Sequence, residues 1–331
     1  DHRDLHSFPT RRSSDLLEAI YSDFTGDRST NDFKAFEVYL KRVWFSNGIH
    51  HHYSNDKFFP EISKEYFAYL IDNSAKAQWP LKDNSETTEA FKTRLTDLIF
   101  NPNIAAKRLE QAEGTDMILA SASNFYDGVT QKEVEDYYEA MRKPNDNQPI
   151  SYGLNSKVVK ENGQIIEHKW HSGGMYGAAI DKIIYWLDKA STVAESDKQK
   201  QMIVKLIEYY KNGDLKTWDD FNVLWVEDDS MVDFVNGFIE VYSDPMGMKA
   251  TWEAVVDFKD VEATHRAEKI SSAAQWFEDH SPVDSKFKKA VVKGVSAKVI
   301  TVAQLGGDCY PATPIGINLP NANWIRRDHG S

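Results

Sequence analysis

Residues 157–169 read KVVKENGQIIEHK: two apolar runs, Val158-Val159 and Ile165-Ile166, set either side of Asn162-Gly163. Asn-Gly supplies the positive φ angles that a two-residue type I′ turn requires, so the segment is expected to form a β-hairpin. Outside it, apolar spacing changes to a helical period. Phe33, Phe36, Leu40, Val43 and Trp44 make one stripe, which predicts a helix over 33–45 with Asn31 or Asp32 as its cap and Gly48 as its stop. Further helices are expected near 61–72, 86–100, 176–192, 196–212, 230–241 and 262–279. Thr130 and Glu133 form a capping box ahead of Tyr137, Tyr138 and Met141, and a loop is expected over 143–153. Toward the C-terminus β-branched residues take over in Val291-Val292, Val295 and Val299 to Val302. Gly306-Gly307 and the prolines 311, 314 and 320 follow, so this tail reads as strands and ordered loops. The sum is an α+β fold, mostly helical.

Composition narrows the function classes. A length of 331 residues corresponds to about two domains. Asp and Glu number 51 against 39 Lys and Arg, a net charge of -12. Such a field repels phosphate backbones, so nucleic acid is not an expected partner. No window holds the roughly 18 consecutive apolar residues of a membrane span, so no membrane partner is expected either. Cys309, the single cysteine, cannot form an intramolecular disulfide; it reads as a structural thiol and points toward the cytoplasm. Residues 1–16, DHRDLHSFPTRRSSDL, have neither a periodic apolar face nor the apolar core of a targeting peptide. FPTRRSSDL, Phe8 to Leu16, coincides with one frame of a common sequencing-adapter oligonucleotide, so 1–16 are expected to be an artefact of the source DNA.

The chemistry-bearing motifs are few. His50-His51-His52 point in different directions on a strand or a helix and read as loop histidines. His168 and His171 lie where the hairpin gives way to Gly173-Gly174, and read as structural or surface groups. No histidine is followed by Glu, so HExxH and HExxGH are absent, as are a Walker loop, GxGxxG and GxSxG. Two polar sets stand on apolar ground. In Gly237 to Pro245, GFIEVYSDP, Glu240 and Tyr242 suit capture of an amine and support of an oxyanion; equally, they read as a solvated carboxylate and a core plug. In Pro314 to Asn321, PIGINLPN, Pro and Gly leave an edge-like strand that an extended peptide can join, while Asn318 and Asn321 can bind a peptide terminus or merely stabilise turns.

These two segments, extended to GFIEVYSDPMGMKATWEAVV (237–256) and GGDCYPATPIGINLPNANWIRRDHGS (306–331), resemble dipeptidyl peptidase III of the Bacteroidetes type. RVWFSNGIHHHYSNDKFFPE (42–61) and NFYDGVTQKEVEDYY (124–138) are similar to the same family, and the likeness runs through 17–331. The resemblance implies a two-lobed zinc exopeptidase that releases dipeptides from the N-terminus of short oligopeptides, one lobe built on a small β-barrel and the other helical and zinc-binding. It implies that Glu240, Asn318 and Asn321 hold the free N-terminus and that Tyr242 supports the transition state at the scissile carbonyl. Pro314, Ile315, Gly316 and Ile317 would carry the peptide by strand addition. The departure is the zinc motif: in that family HExxGH and a later zinc-ligand motif follow the INxPN segment, and here neither is present.

The expectation is therefore a monomeric fragment of a peptidase, truncated before the zinc motif, without bound zinc and inactive alone. A non-catalytic peptide-binding protein using the same cleft is the alternative. On this reading 17–260 belong to the barrel-containing lobe, 261–299 are an excursion into the helical lobe, and 300–331 return to the barrel lobe.

Overall fold

A computed structural model describes residues 9–46, 48–51, 53–74, 79, 85–292, 298–310 and 314–330, with side-chain surroundings from Leu16 onward. Residues 1–8, His52, Val295 and Pro311, on which sequence expectations fell, lie outside the described residues.

The first unit is helical. It comprises α1 (Pro9–Asp23), α2 (Asn31–Phe45), α3 (Lys64–Asp72) and α4 (Thr88–Phe100). Thr30, one residue before the expected cap, closes the start of α2 by accepting from the Phe33 N–H. The expected stripe packs inward: Phe33, Phe36, Leu40 and Val43 are buried with Leu16, Leu17, Ile20, Phe67, Leu70, Phe91 and Leu95. Trp44 instead stays 42% exposed and donates to Glu18 at 2.6 Å.

The second unit holds the strands. After α5 (Met117–Ala120) come β1 (Tyr126–Asp127), α6 (Gln131–Glu139), β2 (Ser156–Glu161) and β3 (Gln164–Lys169). The Thr130–Glu133 capping box is present. The β2–β3 hairpin pairs Glu161 with Gln164, Asn162 and Gly163 taking φ of 50° and 79° as expected of its turn. Three helices follow, α7 (Gly177–Ser191), α8 (Asp197–Asn212) and α9 (Leu215–Val226), then β4 (Val232–Phe238) and β5 (Trp252–Lys259). The chain next forms α10 (Val261–Ser271) and α11 (Ala274–His280), returns as β6 (Ile300–Gly307), and reaches α12 (Asn323–Asp328). Trp170, Tyr209, Tyr210, Phe238 and Trp252 lie in one core beneath the sheets.

Three expectations are corrected. The 230–241 segment is strand β4, because Met231, Phe234, Val235 and Phe238 fit helix spacing only by coincidence. Asn236 and Gly237 weaken a helix there, whereas every residue from Val232 to Phe238 finds a partner on β5. Gly237 is required, since a Cβ would lie 2.4 Å from the Trp218 ring. The expected barrel is not formed: the described strands make two separate three-stranded sheets, β1-β2-β3 and β4-β5-β6, and neither closes on itself. The single helix expected over 262–279 is two, divided at Ser272-Ala273; among their described residues only Thr264 is buried, so no packed face holds one long helix together. Pro314–Asn318 forms no strand, has no ladder partner among the described residues and bends at Ile315, which is fully exposed.

Candidate functional site

The C-terminal end of β4 places the first set. The backbone leaves the ladder at Phe238, and Thr251 then holds the Glu240 carbonyl by its N–H at 3.0 Å. This leaves Glu240 half-buried and Tyr242 76% exposed. The Glu240 negative charge raises the pKa of the Tyr242 phenol, helped by partial burial and by a hydrogen bond between the two side chains. The structure thus brings these two expected residues together.

Asn321 reaches the same end of the strand. Its Nδ2 donates to the Ile239 carbonyl at 3.5 Å, next to Glu240. Arg326 on α12 holds its loop from behind, donating from Nε to Pro320 O at 2.6 Å and from its other arm to Asn318 O. Leu319 is buried and Ile317 packs against the same core, while Pro314, Gly316 and Asn318 remain exposed. The segment is a loop anchored to Arg326 through the Asn318 and Pro320 carbonyls, with no ladder partner among the described residues.

Sequence reasoning missed the carboxylate beneath. Glu253 is only 8% exposed, on β5 opposite two residues that have no side chain, Gly237 on β4 and Gly307 on β6. Burial pushes its pKa up to about 7; the Cys309 thiol, donating at 3.4 Å, offsets this in part, and the nearby Glu240 and Asp308 charges push it further up. Asp308 in turn accepts from the Thr251 hydroxyl. Three acidic side chains and a phenol therefore converge on one strand end. The available signal was an isolated Glu within the apolar run of β5. Arg108 feels the Asp308 charge and is anchored to Asn55, its Nε donating to Asn55 Oδ1 at 3.1 Å.

The remaining candidates lie elsewhere. His50 is buried with Nε2 2.7 Å from Ala105 O, and His51 Nδ1 accepts from the Tyr53 and Ser54 N–H groups at 3.3 Å. His168 lies 3.0 Å from Glu161, and His171 Nδ1 lies 2.6 Å from Ser172 O. Cys309 is buried and its thiol pKa is raised, first by burial and then by Glu253, which is contrary to a metal-ligating thiolate. Among the described residues no three His, Cys, Asp or Glu side chains are arranged to hold a metal. Nor is any described helix long and apolar enough to cross a membrane.

Glu253 makes stability depend on pH. Its carboxyl holds its proton more tightly folded, near pH 7, than unfolded, near 4.5, so its contribution is complete below pH 4.5 and lost as pH rises through 7. Glu253→Gln should flatten the decline in unfolding free energy between pH 5 and 8 by about 1–3 kcal/mol, read from urea titrations at each pH. Asp219 and Asp257, raised by burial to about 7 and about 6, leave a residual slope of the same sign. An unchanged slope in Glu253→Gln would place the titrating group elsewhere.

A family model described as Peptidase family M49 matches residues 102–331. Dipeptidyl peptidase 3 of Dictyostelium discoideum is 24% identical over 325 residues, which cover 91% of this chain and 44% of that protein. The Mus musculus dipeptidyl peptidase 3 is 24% identical over 324 residues, covering 90% and 43%. This chain therefore spans less than half the length of these curated relatives. Among solved structures, dipeptidyl-peptidase III from Corallococcus sp. strain EGB superposes with a TM-score of 0.52 at 21% identity, covering 98% of this chain and 58% of the other. DPP III from Caldithrix abyssi gives 0.53 at 17% identity, covering 99% and 57%. At those identities the likeness is one of fold.

Proposed function

The chain belongs to peptidase family M49, and from that membership we propose that it forms the peptide-terminus-binding side of a zinc-dependent dipeptidyl peptidase acting on short oligopeptides. The observation that carries the reading is the convergence of Glu240, Glu253, Asp308 and Tyr242 with Asn321 at one strand end. A protonated peptide amine is the natural partner of such a group: Glu240 faces it, and Asp308 adds negative potential nearby, with Glu253 gaining charge only as its proton is lost near pH 7. Asn321 and Asn318 supply amide donors and acceptors for the first peptide unit. Tyr242 would donate to a carbonyl oxygen farther along the peptide, and the Glu240 charge favours its protonated phenol. Pro314 to Ile317 offer an exposed backbone beside that path.

The described residues of this cluster do not fit zinc. The acidic cluster includes a buried, protonated thiol and a carboxyl whose proton is retained to about pH 7, and no histidine is followed by Glu. When bound, zinc would supply an activated water; this chain's own residues would bind and orient the peptide. We therefore propose that the 331 residues alone bind and do not cleave, and that 261–299 serve the zinc-bearing side of the cleft.

Calorimetric titration with a free-amino alanine tetrapeptide tests this. Binding should weaken at least about tenfold on N-acetylation of the peptide or on Glu240→Gln, with a dipeptidyl-naphthylamide left uncleaved. Equal affinity for the free and acetylated peptides would reject the amine site. Zinc-dependent cleavage by the purified chain would reject the assignment of binding without catalysis.

A further inference from the structure

The turn that follows Tyr242 is specified beyond what reversing the chain requires. Asp244 is 2% exposed, and its Oδ2 accepts from the Tyr126 phenol, the Met248 N–H and the Lys249 N–H, each at 2.8 Å. Its Oδ1 accepts from the Met246 N–H at 3.2 Å, and its own N–H donates to Val241 O at 3.0 Å, closing the backbone over Tyr242. Gln111 holds the next carbonyl, that of Pro245, at 2.7 Å. Burying a carboxylate is costly unless its lone pairs are met; here three of the bonds fix Met246, Met248 and Lys249 of one turn and the fourth comes from outside it, from Tyr126. Tyr126 belongs to β1 of the hairpin sheet, whereas Glu240 and Tyr242 hang from β4 of the other sheet. The Tyr126–Asp244 bond is thus a side-chain tie between the two sheets, two residues from Tyr242 and four from Glu240.

We propose that Asp244, pinned by the Tyr126 phenol, is the positioning residue that sets the Glu240–Tyr242 pair for a peptide amino terminus; this rests on the peptide-binding reading of that pair. Without the phenol oxygen, the backbone bonds still close the turn and Lys249 still reaches Ser156 of the hairpin sheet, but the carboxylate at the start of the turn loses its own tie to that sheet. Glu240 and Tyr242, on the side of the turn away from Lys249, are then held less firmly while the fold persists.

Tyr126→Phe removes that oxygen and keeps the ring. The readout is a pH titration of Tyr242 by 13Cζ-tyrosine NMR, assigned with Tyr242→Phe. In the unsubstituted chain Tyr242 should titrate above an ordinary exposed tyrosine, and in Tyr126→Phe its midpoint should fall toward the ordinary value. Tetrapeptide affinity should drop about tenfold, and unfolding should stay cooperative. Gln111→Ala, which frees the turn from its other side, should shift Tyr242 in the same direction by less and serves if Tyr126→Phe does not fold. A purely structural tie lowers the unfolding midpoint and leaves the Tyr242 titration where it was; that result overturns the proposal. An ordinary midpoint in the unsubstituted chain overturns it too. If the chain binds no tetrapeptide but Tyr242 still responds to Tyr126→Phe, the positioning role stands and the peptide reading falls.

Discussion

Lys249→Ala should destabilise the chain by about 3–5 kcal/mol, measured by urea unfolding at pH 7. Lys249 is fully buried, and its ammonium donates to Tyr138 Oη at 2.8 Å, Gly153 O at 3.2 Å and Ser156 Oγ at 3.1 Å. Tyr138 and Ser156 both pass the network on to Glu167, at 2.7 and 2.6 Å, so the lysine charge is balanced by Glu167 and, across the turn, by Asp244. Burial lowers its pKa to about 8, which leaves most of it charged at pH 7. Alanine removes the cation, orphans three acceptors and leaves a void, and these costs act together. Lys249→Met refills most of the volume without restoring a donor, so it should recover only about 1–2 kcal/mol. A methionine variant as stable as the unsubstituted chain would show that packing, not the ion, holds Asp244–Lys249 in place.

That network also marks where sequence reading stops. The hairpin was legible because Asn162-Gly163 is a local instruction, and the helices at 177–191 and 197–212 were legible because their apolar faces repeat with the helix period. Strand β4 was not: its apolar spacing satisfies a helix as well as a strand, and the deciding facts are the β5 ladder and the Trp218 ring against Gly237, both distant in sequence. Strand β5 inverts the usual sense of the pattern, burying Glu253, Val255 and Asp257 while Val256 and Phe258 are 38% and 44% exposed. For that reason the Glu253 carboxylate reads as a surface residue until its cross-strand neighbours are known. Glu240, Tyr242 and Asn321 were legible as residue types at a turn; what placed them together was the thread from Asn321 to Ile239 O and the Arg326 clamp. No local pattern encodes contacts of that range. That the described strands close no barrel is of the same kind, since strand closure depends on partners that periodicity does not name.

Gly307→Ala tests whether the floor of the site is set by one backbone contact. Gly307 ends β6 with φ of +61°, and a Cβ there would lie 2.1 Å from the Trp252 carbonyl oxygen and 2.9 Å from the Glu253 Cα. The first neighbour is backbone of a central strand and cannot turn aside like a side chain. Gly247 has nearly the same dihedral, +63°, and open space around its Cβ position, so it separates dihedral strain from collision. Gly247→Ala should cost about 1 kcal/mol, the penalty of the left-handed conformation for an L-residue. Gly307→Ala should cost about 3 kcal/mol or more, because β6 must also move off β5 to admit the methyl group. The movement has a local reporter: Cys309 is 6% exposed, two residues on, held by its hydrogen bond to Glu253. In Gly307→Ala, under native conditions, the thiol should react with an aromatic disulfide reagent at least about tenfold faster than in Gly247→Ala, because its protection depends on the local opening free energy. Equal unfolding free energies and equal thiol rates in the two variants would mean that β6 yields freely, and that the burial of Glu253 does not depend on Gly307.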